Sequence, residues 1–400
     1  MIRNKLFTIK EIQAMNKNTT VLANLLSPLE RSDFECLVKD YNGDKRIRTL
    51  STFTLLKTLI YGQITGAFSV REIESSLAVN SSKLYHCGLK PVKRSTLCDA
   101  LEKRDQHIFE KTFQSLAAKA QMIAGNNGRR FRNPLKIIDA STIDLCLNRF
   151  DWAKFRTTKG AVKLHLKLDG DYLFPEEAKL TTGSIHEVTE MSELCRTPGQ
   201  IYVMDRGYVD YNRLYDIELG QSIFVTRMKR NCQHEIIKRL SSSSSEPIRL
   251  DAVIKLVGLK TKETYPKELR KVCYHDDEYD RDYVFITNSF DISAQKIADI
   301  YKARWQVELF FKWIKQNLKI KTFWGTSENA VYIQIWVALI VALLLWLHKA
   351  LDGITVSSQR IIQILKSTIL ARKTILDLIR YDDPPDKIES RQFFFKGFTC

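Results

Sequence analysis

Between Ala330 and His348 the chain reads AVYIQIWVALIVALLLWLH. As a helix this segment is apolar on every side, so it has to be enclosed, by lipid or by protein. Its uninterrupted part, Ile335 to Leu347, would extend about 20 Å as a helix, short of a hydrocarbon core of about 30 Å. Adding Val331 to Gln334 brings it close to spanning length. No second segment of this kind occurs, and 400 residues are enough for two or three domains with a sizeable core. The expectation is a helix buried in a large α/β core, and no membrane. A membrane-associated basic protein is the alternative that this stretch alone would support.

The periodicity changes along the chain. Residues 1–128 carry apolar residues at helical spacing, in VLANLLSPLERSDFECLVKDY and LSTFTLLKTLIYGQI, and are expected to form an all-α N-terminal domain. Ser69 and Glu72 have capping-box spacing. Two short helices, the second beginning with Lys93, Arg94, Ser95 and Thr96, have the outline of a helix-turn-helix DNA reader, an outline shared with many plain packed pairs. The run GNNGRRFRNP, 125–134, marks a domain boundary. Residues 129–229 then read as three strands, helix, strand, helix, strand. The strands are LKIIDAST, AVKLHLKLDG (alternating, as if half-buried), DYLFPEEAKLTTG, GQIYVMDRGYVD and SIFVTRMKR; the helices are HEVTEMSELCRT and YNRLYDIEL. Residues 230–284 hold SSSSSEP and the short segments IRLDAVIKL, ELRKVCYH and DYVFIT, a β-rich insertion with a flexible Ser loop. Residues 285–350 return to long helices and complete the core. Residues 351–400 add a C-terminal helix and an irregular tail.

Charge narrows the partner. The formal net charge is +16, which suits a polyanion, nucleic acid before an acidic membrane surface. The eight cysteines form no CxxC pair, so neither a zinc site nor a redox motif is indicated. Free thiols are expected. The N-terminus MIRNKLFTIKEIQAMNKNTT lacks an apolar signal region, and a cytoplasmic location is expected with it.

The sharpest local feature is YKARWQVELFFKWIKQN, 301–317. At about 100° per residue, Arg304, Glu308 and Lys315 fall within about 60° of Tyr301, a polar stripe on an otherwise apolar helix. Taken alone, Arg304 and Glu308 could be an ordinary i,i+4 ion pair worth about 0.2–0.5 kcal/mol. Two further carboxylates change the weighing. Asp139 ends IIDA and Asp205 ends YVMD, and strand ends in an α/β sheet present side chains to the ligand crevice. Three carboxylates together repel one another unless cations neutralise them. Hard oxygen ligands favour Mg²⁺, with Mn²⁺ as a substitute. Paired ions of that kind serve phosphoryl transfer.

The spacing Tyr301, Arg304, Glu308, Lys315 resembles the Y-x2-R-x3-E-x6-K signature of the insertion-sequence-four family of DDE transposases. DAST around Asp139 and MDRGYVD around Asp205 look like its two aspartate regions. The resemblance spans essentially the whole chain. It implies an RNase H-like catalytic core with a mostly β insertion, preceded by an all-α DNA-binding domain. It implies Asp139, Asp205 and Glu308 as a metal-binding catalytic triad, with Mg²⁺ as cofactor. Tyr301, Arg304 and Lys315 would contact DNA phosphates, and Arg227 resembles a further family arginine. The partners implied are double-stranded DNA, both terminal inverted repeats and target, and a second copy of the chain in a synaptic complex. The chain departs from the family in carrying His186-Glu187 where His-Asp is common. HEVTE lacks the second His of a HExxH zinc motif, which excludes a metalloprotease. No Trp lies between 206 and 300 to receive a flipped base, which leaves Tyr265, Tyr274 or another aromatic for that role. The alternative that keeps the fold is a catalytically silent DNA-binding protein derived from a transposase.

Overall fold

The computed structural model describes residues 19–125, 129–156, 159–240 and 247–382. Residues 1–18, the whole Ser run and the tail beyond 382 lie outside the described residues. The chain divides into two compact units, residues 1–125 with 312–400, and residues 126–311.

The first unit is helical. Its N-terminal part comprises α1 (Val21–Leu25), α2 (Arg31–Asp40), α3 (Thr52–Thr65), α4 (Val70–Val79), α5 (Ser81–Leu84), α6 (Arg94–Lys103) and α7 (His107–Ala124). Caps set the boundaries. Ser51 Oγ accepts from the Thr54 N–H at 3.3 Å to start α3, and Gly66, at φ 75°, ends it in the left-handed conformation. Ser69 Oγ accepts from the Glu72 N–H as expected, but the Glu72 carboxylate reaches back to the N–H of Phe68 rather than that of Ser69.

The second unit contains α8 (Glu187–Leu194), α9 (Tyr211–Leu219), α10 (Thr261–Thr264), α11 (Ala294–Ala303) and α12 (Trp305–Asn317), whose last turns run into the first unit. Back in the first unit, α13 (Glu328–Asp352), α14 (Ser358–Thr368) and α15 (Ile375–Asp382) follow. Helix α13 is the apolar segment, and 94 % of its most apolar window is buried in protein. Burying each Leu, Ile or Val there contributes about 1.5–3 kcal/mol, which removes the reason to seek lipid. It packs on α7 and α3 within the helical unit, not on a sheet as the α/β-core expectation had it. Its one polar residue in mid-course, Gln334, is fully buried and fully used. Gln334 Nε2 donates to the Thr322 and Lys319 carbonyls, and Oε1 accepts from the Trp324 N–H at 2.8 Å. Gln63 on α3 mirrors it, accepting from the Lys319 N–H at 2.7 Å. Gly62 is needed beside it, since a Cβ there would lie 2.8 Å from Ile73 Cδ1 and 3.0 Å from the Trp324 ring.

The second unit is built on one ten-stranded mixed sheet. Its strands are β1 (Leu135–Leu145), β2 (Lys154–Arg156), β3 (Lys159–Asp169), β4 (Pro175–Thr182), β5 (Ile201–Met204), β6 (Ile223–Arg227), β7 (His234–Arg239), β8 (Ile248–Leu256), β9 (Leu269–Asp276) and β10 (Arg281–Thr287). The order is β2-β3-β1-β5-β6-β10-β9-β8-β7, with β4 also on β3. Strands β1, β5 and β6 run parallel; every other pair is antiparallel. The element order from 135 to 227 is the expected one, with the short β2 added. The β-rich segment after β6 is a meander that prolongs the same sheet.

Three local expectations need correction. Strand β1 does not stop at Asp139; it runs on to Leu145, paired with β3. Strand β3 is not half-buried, because Lys163, His165, Lys167 and Asp169 are buried as deeply as the leucines between them. Ion pairs permit this: Lys136 Nζ lies 2.8 Å from Asp169, and Lys167 Nζ lies 2.6 Å from Glu177. The segment 294–317 is two helices, α11 and α12, separated at Arg304. There the Arg304 N–H bonds to the Tyr301 carbonyl and the Val307 N–H to the Arg304 carbonyl, both i→i−3. That tightening breaks the uniform 100° step on which the four-residue stripe was drawn.

Candidate active site

Strands β1 and β5 set the two aspartates side by side. Their parallel register ends at Ile138↔Met204, both fully buried in the core. The next residue on each strand is Asp139 and Asp205. Asp139 sits within β1, opposite Leu166 of β3, at the level where β5 has ended. Beyond Ile138 the edge of β1 that faced β5 has no partner strand among the described residues.

The two carboxyls differ electrostatically. Burial pushes Asp139 from its ordinary 3.8 up to about 7, reinforced by Glu308 and Glu187 and opposed by the Ala140 N–H and Arg304. Asp205 is half-buried, which raises it too, but the Arg206 N–H, the Arg304 guanidinium, the Tyr301 hydroxyl and the Gly207 N–H together hold it below its ordinary value. The Arg206 and Gly207 N–H groups belong to the short helical turn Arg206–Tyr208, which starts directly after Asp205.

Helices α11 and α12 supply the rest. Tyr301, 7 % exposed, donates its hydroxyl to Asp205 Oδ1 at 3.1 Å and packs its ring on Phe285 of β10 at 4.8 Å. Its hydroxyl is pushed up to about 12 by burial. Arg304 occupies the middle. Nη1 is 3.6 Å from Asp139 Oδ2, Nη2 donates to Glu308 Oε1, and the guanidinium lies over the Tyr301 ring. Its Nε is buried with no hydrogen-bond partner among the described residues. Glu308 keeps 36 % of its side chain exposed and so faces outward from the cluster.

The three expected carboxylates are thus linked through Arg304 and Tyr301, Asp139 and Glu308 by the guanidinium and Asp205 by the hydroxyl, and not directly to one another. Arg227, at the end of β6, lies over the Tyr283 ring at 5.3 Å and is felt electrostatically by Tyr301. Lys315 stands seven residues beyond Glu308 on α12, half-buried, about 10 Å along the helix at 1.5 Å per residue. His186 is exposed at the start of α8 and makes no capping bond. Among the described residues no three Asp, Glu, His or Cys side chains are close enough to share a metal ion. Instead of closing on one point, Asp139 and Glu308 are held by Arg304.

Two residues escaped the sequence reading. Glu187, at the first turn of α8, lies 3.8 Å from Lys163 Nζ, and its Oε2 would stand 3.8 Å from a Cβ built on Gly207. Its charge reaches Asp139. Tyr208, 1 % exposed, has a hydroxyl with no hydrogen-bond partner among the described residues; burial, then Asp139, Glu187, Cys195 and Asp205, push its ionisation upward. The signal for both stands in the sequence as HE at the start of α8 and DRGY after β5, where the pattern points to Asp205 and His186 and assigns no role to Glu187 or Tyr208. The seven described cysteines are all free, as expected, and Cys400 lies outside the described residues.

Comparison with known proteins identifies the family. Residues 130–344 match the Transposase DDE domain, and residues 17–90 match a domain of unknown function. The chain is 31 % identical to a probable transposase for insertion sequence element IS5377 of Geobacillus stearothermophilus, over 84 % of this chain and 86 % of that one. It is 29 % identical to the putative transposase y4zB of Sinorhizobium fredii, over 74 % of this chain and 82 % of that one. The cryo-EM structure of a piggyBac transposase synaptic complex with hairpin DNA aligns with a TM-score of 0.49 at 9 % identity, covering 94 % of this chain and 84 % of that one. With two aspartates on adjoining strands, a glutamate brought to them by a helix, and the matching domain covering all three, the chain belongs to the DDE transposases of insertion sequences.

Proposed function

We propose that this transposase cuts DNA at the terminal inverted repeats of its element and joins the freed 3′-OH ends to target DNA, using Asp139, Asp205 and Glu308. The observation that carries this reading is the Ile138↔Met204 register, which sets Asp139 and Asp205 beside each other at the edge reached by Arg304 and Tyr301. The donor chemistry fits Mg²⁺ or Mn²⁺, since three carboxylates from β1, the end of β5 and α12 offer only hard oxygens. When bound, such cations polarise the scissile phosphate and activate the attacking oxygen. The strand sequence β4-β3-β1-β5-β6, antiparallel then parallel, supports assigning the core to the RNase H-like fold, and the four-residue signature supports the insertion-sequence-four family.

The chain's own groups have separable tasks. Arg304 has a buried Nε without a partner among the described residues and a guanidinium suited to forked recognition of a phosphate. Exchanging Asp139 and Glu308 for a DNA phosphate releases both carboxylates for cation binding. Tyr301 orients Asp205 through its hydroxyl. Arg227 and Lys315 add positive charge beside the path of the backbone. Two copies acting on two ends, in the cytoplasm, complete the reading.

The test uses a labelled duplex of the element's own end, with Mg²⁺ or EDTA, and wild-type or Glu308→Gln protein. Metal-dependent nicking at the end, lost in Glu308→Gln while binding persists, is expected. Equal nicking by both proteins would place the chemistry elsewhere. Binding without nicking by either would mean a catalytically silent DNA-binding protein.

A further inference from the structure

The domain of unknown function and the segment after it hold a cleft of about 890 Å³. One wall is the 48–54 segment leading into α3; the other runs from Ser81 through Lys93 to Thr96 at the start of α6. The two stretches 45–51 and 81–96 carry three basic residues (Lys45, Arg46, Arg48) and four (Lys83, Lys90, Lys93, Arg94) and no Asp or Glu. All seven are exposed, and among the described residues none forms an ion pair. Three of them, Arg48, Lys90 and Lys93, line the cleft together with the Thr49 and Ser81 hydroxyls. Tyr85 is 83 % exposed at its edge.

The walls are held from behind by other cations. Buried Lys57 donates to the Cys87 carbonyl at 3.0 Å and the Gly88 carbonyl at 2.6 Å, fixing a turn in which Gly88 has φ 58°. Arg104, 5 % exposed, donates to the Leu50 carbonyl. Asp44 accepts from the Thr52 N–H and hydroxyl, both at 2.7 Å, so the one nearby carboxylate is spent on closing the loop. The basic side chains stay in solvent while their backbone is anchored, the arrangement of a preorganised anion surface.

We propose that this cleft is a binding site for the sugar-phosphate backbone of duplex DNA, with Arg48, Lys90 and Lys93 on successive phosphates and Tyr85 against the sugars. The ligand assignment rests on the transposase reading above. A free nucleotide or phosphate would leave Lys45, Arg46, Lys83 and Arg94, which lie outside the cleft, without a role; a continuous backbone reaches them. The contacts go to phosphates and hydroxyls, so the site positions DNA without reading its sequence.

The experiment measures binding of full-length protein to a fluorescent end duplex across a salt series. It compares wild type, Arg48→Gln/Lys90→Gln/Lys93→Gln, and a charge-matched control, Lys39→Gln/Lys103→Gln/Lys111→Gln, whose lysines are exposed but do not line the cleft. Each lost phosphate contact lowers the slope of log K against log salt by about 0.9. The cleft variant is expected to lose about three in slope and on the order of 10- to 100-fold in affinity at moderate salt, the control much less. Lys90 and Lys93 should also be protected by duplex from acetylation in the wild type, which decides the matter even if the triple variant folds poorly. Equal slopes for cleft and control variants, or unprotected lysines while wild type binds and nicks DNA, would overturn the cleft assignment and leave the transposase reading intact. Wild type that binds no duplex at all would overturn both.

Discussion

Asp139→Asn should stabilise the metal-free protein, and the gain should depend on pH. Burial raises Asp139 from 3.8 to about 7 in the folded chain. Between those values the native state holds a proton that the unfolded chain has lost, so stability falls as pH rises and the loss is complete above 7. At about 1.36 kcal/mol per unit, the ionised side chain costs the folded state at most about 4 kcal/mol at pH 8. Asn keeps the shape and can still accept from the Ala140 N–H, but it gives up the attraction of Arg304 at 3.6 Å. The net gain expected is about 1–3 kcal/mol at pH 8 and little near pH 4. Since about 1 kcal/mol moves the melting point by about 2–4 °C for a unit of this size, thermal unfolding in EDTA at pH 5 and pH 8 reads it directly. Asp205→Asn gives the opposite sign. Its folded carboxyl is held below the ordinary value, so its contribution is present above about pH 4, is lost as pH falls through the folded value, and disappears in the Asn variant. An Asp139→Asn protein no more stable than wild type at pH 8, or equally stabilised at both pH values, would refute the argument.

Mn²⁺ affinity, followed by electron paramagnetic resonance without DNA, should rise by about tenfold from pH 6 to pH 8 as Asp139 gives up its proton, and Glu308→Gln should weaken it at both. Arg304→Gln should bind Mn²⁺ more tightly than wild type in the absence of DNA, because its guanidinium competes for Asp139 and Glu308; unchanged affinity would mean it does not. Gln334→Leu should lower stability by about 2–4 kcal/mol in chemical denaturation, since it strands the Trp324 N–H and the Thr322 carbonyl in the interior. Arg270→Met should cost about 3–5 kcal/mol, because Arg270 holds buried Asp251 through two bonds of 2.8 and 2.7 Å and no other cation is bonded to it among the described residues.

What could be read from the sequence was what depends on neighbours in the chain. Helix α9 spans Tyr211–Leu219 and strand β8 spans Ile248–Leu256, the expected segments, because each is bounded by its own turn residues and filled by one period. Asp205 stands just past β5 for the same reason. Asp139 was placed at a strand end because the apolar run stops there. Its strand continues because β3 supplies a pairing partner that the local pattern cannot reveal. The alternation of β3 suggests a wet face, and its polar residues are dry because partners on other elements reach them: Lys136 of β1 pairs with Asp169, Glu176 and Glu177 of β4 with Lys167, Thr181 with His165, and the Ile185 carbonyl and Glu187 with Lys163. Glu187 was passed over for a related reason. Its relevance comes from the charge it brings to Asp139 and Tyr208 across the fold, and not from anything adjacent to it in the chain.

The break at Arg304 connects these observations to function. A continuous helix would have kept Tyr301, Arg304 and Glu308 on one stripe, each free to point outward. With the turn tightened by two i→i−3 bonds, Tyr301 reaches back to Asp205 while Arg304 lies between Asp139 and Glu308. The cluster is then neutral enough to be buried in the absence of any other cation, which is why a chain can carry carboxylates on a core strand and still fold. The same arrangement makes the site conditional. A guanidinium can neutralise the carboxylates or hold a phosphate, but not both in one geometry, so on the proposed reading the arrival of DNA would free Asp139 and Glu308 for a cation in the same event. A DNA-cutting enzyme would gain from that coupling, because a cation binding at Asp139 and Glu308 without DNA would have to displace Arg304 and would be disfavoured by as much as that ion pair contributes.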